Sequence, residues 1–326
     1  MGGWKKKPLN DNTQTYISCK RNKILQDMIT TSKEKKQSLL KLNKKRRTVL
    51  SKSTRDDTRD INMNYGNRTL QITSMNVDTL RTKESIYALI LNLESNKVDI
   101  ACIQETHNER NDNVDIGNYK IFFGGNGKIS DSIHETKINT KSGVAIAIRK
   151  TLSNNIKQVI RINGRLMELR LKTGSNLPTI SILNTYTPHM GYDVNYRNTH
   201  WDIINAYIDS IPHNNTIIWC NDNNGQLSKS LNKERNSIGN WALGNKCEEG
   251  NGINLQNCCN EHNLICANTF FIPKNNNKRN LATWHNHDGE ISRQIDYVMI
   301  SNKHRNWIKQ IKTTKLQIQD KQCSIK

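Results

Sequence analysis

An α/β sandwich is the fold class this sequence predicts. Three observations lead there. From about residue 68, short runs of β-branched and other apolar residues recur between turn residues. Three longer stretches carry apolar residues at helical spacing. The two kinds of segment mix irregularly, which fits sheets packed face to face under helices better than a strict βαβ repeat.

The strand-like runs are Thr69–Asn76, Val98–Gln104, Gly143–Arg149, Thr179–Tyr186, Thr216–Cys220, Leu264–Asn268 and Gln294–Ile300. The helical stretches are Glu84–Glu94, Tyr196–Ser210 and Asn251–His262. In the second of these, Trp201, Ile204, Ile208 and Ile211 share one face, so Trp201 is expected in the core. Residues 108–141 and 227–250 are polar and rich in Gly and Asn, and are expected to be loops.

Charge separates the chain into two parts. The 326 residues hold 49 Lys or Arg against 29 Asp or Glu, a formal charge of +20. Residues 1–60 alone carry 17 Lys or Arg against 6 Asp or Glu, a net +11. The densest run is Lys44-Lys45-Arg46-Arg47. Residues 1–67 therefore read as a basic, largely disordered extension. It reads as a solvated tail that can also be an arm loading the chain onto nucleic acid or a nuclear address. Residues 68–326 read as the folded domain. A chain this basic is expected to meet polyanions, nucleic acid first. No apolar run approaches the ~18 residues of a membrane span, and no signal-peptide core is present, so an intracellular, nuclear protein without membrane contact is expected.

The eight cysteines include no Cys-x-x-Cys pair. Cys102 and Cys220 lie inside apolar runs, where cysteine acts as a small hydrophobe. Cys247, Cys258, Cys259, His262 and Cys266 are loosely grouped, at spacings that fit none of the usual zinc frames.

Polar residues gather where the apolar runs end. The chain reads Asn76-Val77-Asp78, then Ile103-Gln104-Glu105-Thr106, Asn184-Thr185-Tyr186-Thr187-Pro188, Asn221-Asp222-Asn223-Asn224, and Gln294-Ile295-Asp296-Tyr297 preceded by Thr283-Trp284. A carboxylate just past a buried strand is poorly placed for folding and well placed for a site at a sheet edge. In this fixed order the segments resemble the endonuclease/exonuclease/phosphatase superfamily, with a texture similar to the nuclease domains of non-LTR retrotransposons.

The resemblance implies a four-layer, DNase I-like sandwich and Mg2+-dependent phosphodiester hydrolysis, with Mn2+ able to substitute and no small-molecule cofactor. Its implied substrate is DNA, nicked by an endonuclease of a retrotransposon-type element. Asn76, Asp78 and Glu105 would be the metal residues, Glu105 the chief ligand. Asp222 would position or deprotonate the attacking water, Asn224 and Tyr186 would bond phosphate oxygens, and Asp296 would hold a histidine. Two departures stand out. Asn221 replaces a glycine, at a place where a tight turn would favour φ > 0. No Ser-Asp-His follows Asp296, so the terminal strand is expected to be missing and the activity weakened. His285 and His287 lie nearby in sequence, and His189 follows the tyrosine motif. Two rivals remain: a catalytically dead fold that binds nucleic acid, and a phosphomonoesterase or lipid phosphodiesterase of the same superfamily.

Overall fold

The computed structural model describes residues 69–77, 79–125, 142–174, 177–228, 237–244, 250–273, 277–286, 288, 290–315 and 321–325. The basic extension, Asp78, His287 and Cys247 lie outside them. Among the described residues, two mixed sheets pack face to face between two helical layers.

The first sheet holds β1 (Ile72–Asn76), β2 (Ile100–Gln104), β3 (Asn113–Ile116), β4 (Tyr119–Gly124), β5 (Val144–Arg149), β14 (Ile311–Lys315) and β15 (Lys321–Ile325). Their order is β14-β15-β1-β2-β5-β4-β3. The second holds β6 (Ile156–Asn163), β7 (Leu166–Leu171), β8 (Ile180–Tyr186), β9 (Thr216–Asp222), β10 (Leu264–Cys266) and β13 (Asp296–Ser301), in the order β10-β13-β9-β8-β7-β6. A two-stranded ribbon, β11 (Trp284–His285) with β12 (Ser292–Arg293), stands apart from both.

Strand alternation builds the layers. In β2, Ile100 and Cys102 face the second sheet while Ala101 and Ile103 face outward under α1 (Lys83–Ser95). In β9, Ile218 and Cys220 face inward; Ile217 and Trp219 face outward under α2 (Val194–Ser210) and α3 (Asn251–Glu261). Both faces are buried, so these strands read as unbroken apolar runs. Thr82 caps α1 by accepting from the Ser85 N–H at 3.1 Å. Asp193 caps α2, accepting from Asn195 N–H at 2.8 Å and Tyr196 N–H at 3.3 Å. Trp201 lies in the core against Trp219, edge to face at 6.4 Å.

One expectation needs correction. Residues 108–141 are not all loop: Asn113–Ile116 and Tyr119–Gly124 pair as a hairpin. The run Tyr119-Lys120-Ile121-Phe122-Phe123 is apolar enough to be a strand, but its polar partner hides the pattern. Strands β6 and β7 pair antiparallel as a second hairpin. β15 pairs antiparallel to β1, with Ile325 opposite Ile72 and Gln322 opposite Met75, and β14 lies beyond it. The edge of β1 is thus covered.

Covering matters because β1 carries buried residues on both faces, and its bare edge would be a template for pairing with other chains. Removing residues 316–326 should lower the melting temperature by about 5 °C or more, equivalent to roughly 2 kcal/mol for a domain of this size. It should also raise turbidity on heating. Calorimetry and light scattering check this; an unchanged transition would show that β15 contributes nothing.

Candidate active site

Parallel pairing sets the site. β1 and β2 run parallel, as do β8 and β9, so the ends of all four strands collect at one edge of the sandwich. Asn76 ends β1, Tyr186 ends β8 and Asp222 ends β9, while Glu105 directly follows β2. Asp296 opens the antiparallel strand β13 opposite Asp222, which brings it to the same edge.

Asn76 joins the two sheets. Its Nδ2 donates to Glu105 Oε1 at 3.1 Å and to Asp222 Oδ2 at 2.9 Å. Beneath it, a second amide bridge sets the spacing. Gln104 Nε2 donates to Asn184 Oδ1 at 2.7 Å and to Ser74 Oγ at 3.1 Å. Asn184 Nδ2 donates to the carbonyls of Ile103 at 2.9 Å and Ala145 at 2.8 Å. Glu105 itself sits at φ 56°, and His107 and Asn224 are also left-handed, at 49° and 46°. Gly143 makes room for this bend. Its carbonyl accepts from Thr106 N–H at 3.0 Å, and a Cβ there would meet Thr106 Oγ1 at 2.3 Å.

Asp222 is fully buried, and burial pushes its carboxyl up to about 6. The Asn76 amide, the Asn224 backbone N–H at 3.0 Å and the positive charge of Arg165 oppose that rise. Tyr186 is buried too. Burial first, then the negative charges of Glu105 and Asp222, raises its hydroxyl above the usual range, with Arg165 opposing. Tyr186 therefore keeps its proton and remains a donor. Asn224 Nδ2 donates one hydrogen to the Thr187 carbonyl at 2.8 Å. An amide carries two such hydrogens. Asp296 accepts at its backbone carbonyl from Asn268 Nδ2 at 3.1 Å and donates its N–H to Thr283 Oγ1 at 3.1 Å.

The structure thus brings Asn76, Glu105, Tyr186, Asp222, Asn224 and Asp296 to one edge. The turn expected at Asn221 is not there. Asn221 lies within β9 without positive φ, and its Oδ1 accepts from the hydroxyls of Thr185 at 2.6 Å and Thr187 at 3.0 Å. His189 is exposed, with Nδ1 accepting from Gly191 N–H at 3.0 Å. His285 Nδ1 shares a hydrogen with Ser292 Oγ across the ribbon at 2.7 Å. Arg165 escaped the sequence reading because Asn163-Gly164-Arg165 looks like an ordinary turn. It is nonetheless only 4% exposed and stacks on Tyr186, 4.7 Å from the ring centroid.

Among the described residues, no three His, Cys, Asp or Glu side chains converge as a metal cluster. Cys258, Cys259 and Cys266 pack into the apolar cluster between the second sheet and its helices. The donors that do converge are oxygens: the Glu105 and Asp222 carboxylates and Asn76 Oδ1, which is buried without a hydrogen-bond partner. An all-oxygen set with one or two carboxylates fits a small hard cation that keeps part of its water.

Comparison with known proteins agrees with this architecture. No family model matches the chain. A Tragulus javanicus protein, "craniofacial development protein 2", is 26% identical over 174 residues, 53% of this chain and 29% of that relative. The match thus spans less than a third of the relative's length. Among solved structures, the AP endonuclease of Leishmania major superposes with TM-score 0.56 at 16% identity, covering 79% of this chain and 87% of its own. The endonuclease domain of TRAS1, a telomere-specific non-LTR retrotransposon, gives TM-score 0.52 at 13% identity, covering 79% and 97%. A Neisseria 3' phosphatase solved with a product DNA hairpin gives TM-score 0.54 at 12% identity, covering 79% and 99%. This chain shares the α/β-sandwich fold of these solved structures.

The raised carboxyl of Asp222 has a measurable consequence. A folded-state pKa near 6, against 3.8 ordinarily, gives stability that is complete below about 3.8 and lost as pH rises through about 6. Relative to Asp222→Asn, the parent chain without divalent cations should lose on the order of 3 kcal/mol between pH 4 and pH 7. Urea denaturation across that window tests it. A constant difference would mean that Asp222 titrates as an ordinary carboxylate.

Proposed function

We propose that this chain hydrolyses DNA phosphodiesters with a divalent cation, Mg2+ or Mn2+, nicking duplex DNA as the endonuclease of a retrotransposon-type element. The observation that carries this reading is the Asn76 amide, which holds Glu105 and the buried Asp222 together across two sheets beside an unpartnered oxygen.

Each residue's part follows from its surroundings. Glu105, Asn76 and Asp78 would hold the cation, with Glu105 supplying the principal charge. When bound, the cation would offset negative charge on the phosphate. Asp222, with its carboxyl near 6, accepts the proton of the attacking water close to neutral pH. Tyr186 keeps its hydroxyl hydrogen, and Asn224 has an amide hydrogen beyond the one given to Thr187; both donate to phosphate oxygens. Asp296 supports the edge opposite Asp222. DNA is favoured over a small ester by the formal charge of +20.

One observation favours a weaker enzyme. His304, which follows Asp296, has an Nδ1 that shares a hydrogen with Thr216 Oγ1 at 2.7 Å. Thr216 begins β9, at the strand end away from Asp222. A phosphate donor of the histidine kind would be worth roughly 10²–10³ in rate. In the extreme this reading becomes a fold that binds DNA without cutting it.

Nicking of supercoiled plasmid in Mg2+ tests the function. Glu105→Gln should abolish it while leaving circular dichroism and melting unchanged, because a neutral amide is a poor ligand for a hard cation. Nicking at the parent's rate would refute the metal assignment.

We further propose that residues 1–67 add sequence-independent affinity and carry the nuclear address. Their basic excess would release counterions from DNA, with a slope near ~0.9 per phosphate contacted. Deleting them should weaken binding and flatten the dependence of log K on log salt. An unchanged slope would reduce the extension to a solvated bystander.

A further inference from the structure

Arg165 sits in the turn between β6 and β7 and ties the site to its surroundings. Its guanidinium lies 4.7 Å from the Tyr186 ring centroid and 5.1 Å from that of Tyr192. Nη1 donates to the Tyr186 carbonyl at 3.2 Å and Nη2 to the Tyr192 hydroxyl at 3.1 Å. Tyr192 in turn stacks on Tyr196, with centroids 5.3 Å apart and planes 24° from parallel. Contacts therefore step from Tyr186, buried at the site, through a guanidinium and a second ring, to Tyr196 in the first turn of α2.

This column ends toward solvent. Tyr192 and Tyr196 are half-buried, and neither belongs to the apolar clusters that pack the described helices on the sheets. Beside them lie exposed His189, 4.6 Å from Tyr192 between centroids, and Met190, 57% exposed. The segment is held in place. The Pro188 carbonyl accepts from Asn251 Nδ2 at 2.8 Å, and the Tyr192 N–H donates to the His189 carbonyl at 3.0 Å. Arg197 Nε donates to the Tyr192 carbonyl at 3.3 Å.

We propose that Tyr196, the outer ring of this column, is a stacking platform for an unpaired nucleobase of the DNA strand whose phosphate occupies the site. The inference rests on the nuclease reading above and names a feature of its substrate. Aromatic faces that reach solvent beside a site for phosphate are the chemistry that holds single-stranded nucleic acid, because every base offers a π-face. A base inside a duplex has both faces covered by its neighbours. Only a bulged, mismatched or otherwise unstacked base can lie on Tyr196. The ordered segment means that little is lost in arranging the platform on binding.

Fluorescence anisotropy of the full chain, without divalent cations, tests this with two otherwise identical duplexes. One is fully matched and the other carries a single bulged 2-aminopurine. The bulged duplex should bind about tenfold more tightly, with quenched 2-aminopurine emission. Tyr196→Ala should erase the preference and the quenching while leaving the affinity for matched duplex unchanged. Tyr196→Phe should keep both. A parent chain that nicks plasmid but binds both duplexes alike overturns the platform alone, as does a Tyr196→Ala variant that keeps the preference. A parent that neither binds nor nicks DNA overturns the nuclease reading and the platform together.

Discussion

The structure around the site depends on one amide. Asn76 lies at the end of a strand in one sheet and reaches a carboxylate at the end of a strand in the other. Two carboxylates brought to one buried edge would repel, and each would resist ionising. A donor shared between Glu105 and Asp222 removes part of that cost, and it fixes their separation at the same time. The Gln104–Asn184 bridge below does for the backbone what Asn76 does for the charges. It ties β2 to β8 and β5 through buried amides, so that the two sheets cannot slide past one another without leaving polar groups unpaired.

Around this point the charges are placed asymmetrically. The site edge holds Glu105, Asp222 and Asp296, and the buried guanidinium of Arg165 acts on Asp222 and Tyr186. Three carboxyl groups at one edge make a locally acidic place in a strongly basic chain. Such a place suits a divalent cation. The excess of Lys and Arg elsewhere, much of it in residues 1–60, suits the phosphates of a long polyanion. Local acidity and global basicity are thus two parts of one arrangement rather than a contradiction.

Much of this was legible in the sequence, for a physical reason. Strands buried on both faces must be apolar throughout, and a polar residue at their end has few structural uses. So β1, β2, β5, β8, β9 and β13, and with them Asn76, Glu105, Tyr186, Asp222 and Asp296, stood out. Trp201 was placed in the core by helical spacing alone. Strands with mixed patterns did not stand out. β3 exposes alternate residues at the sheet edge, and β6 is only half-buried along its length. Arg165 was invisible because its burial comes from Tyr186 and Tyr192, neither of which is its neighbour in sequence. β15 pairs with β1 through backbone alone, which no side-chain pattern needs to announce.

Asn221 shows how a departure from the expected pattern can be absorbed. A buried side-chain amide ordinarily costs stability unless each of its groups is paired. Here its oxygen accepts from two threonine hydroxyls, and its nitrogen donates to Asn223 Oδ1 at 3.2 Å. Thr185 extends the network by accepting from Trp219 Nε1 at 2.7 Å. The substitution therefore adds a cross-strand link between β8 and β9 immediately beneath Asp222 and Tyr186. The fold thus absorbs this departure within its own framework, through hydroxyls that the neighbouring strand already offers.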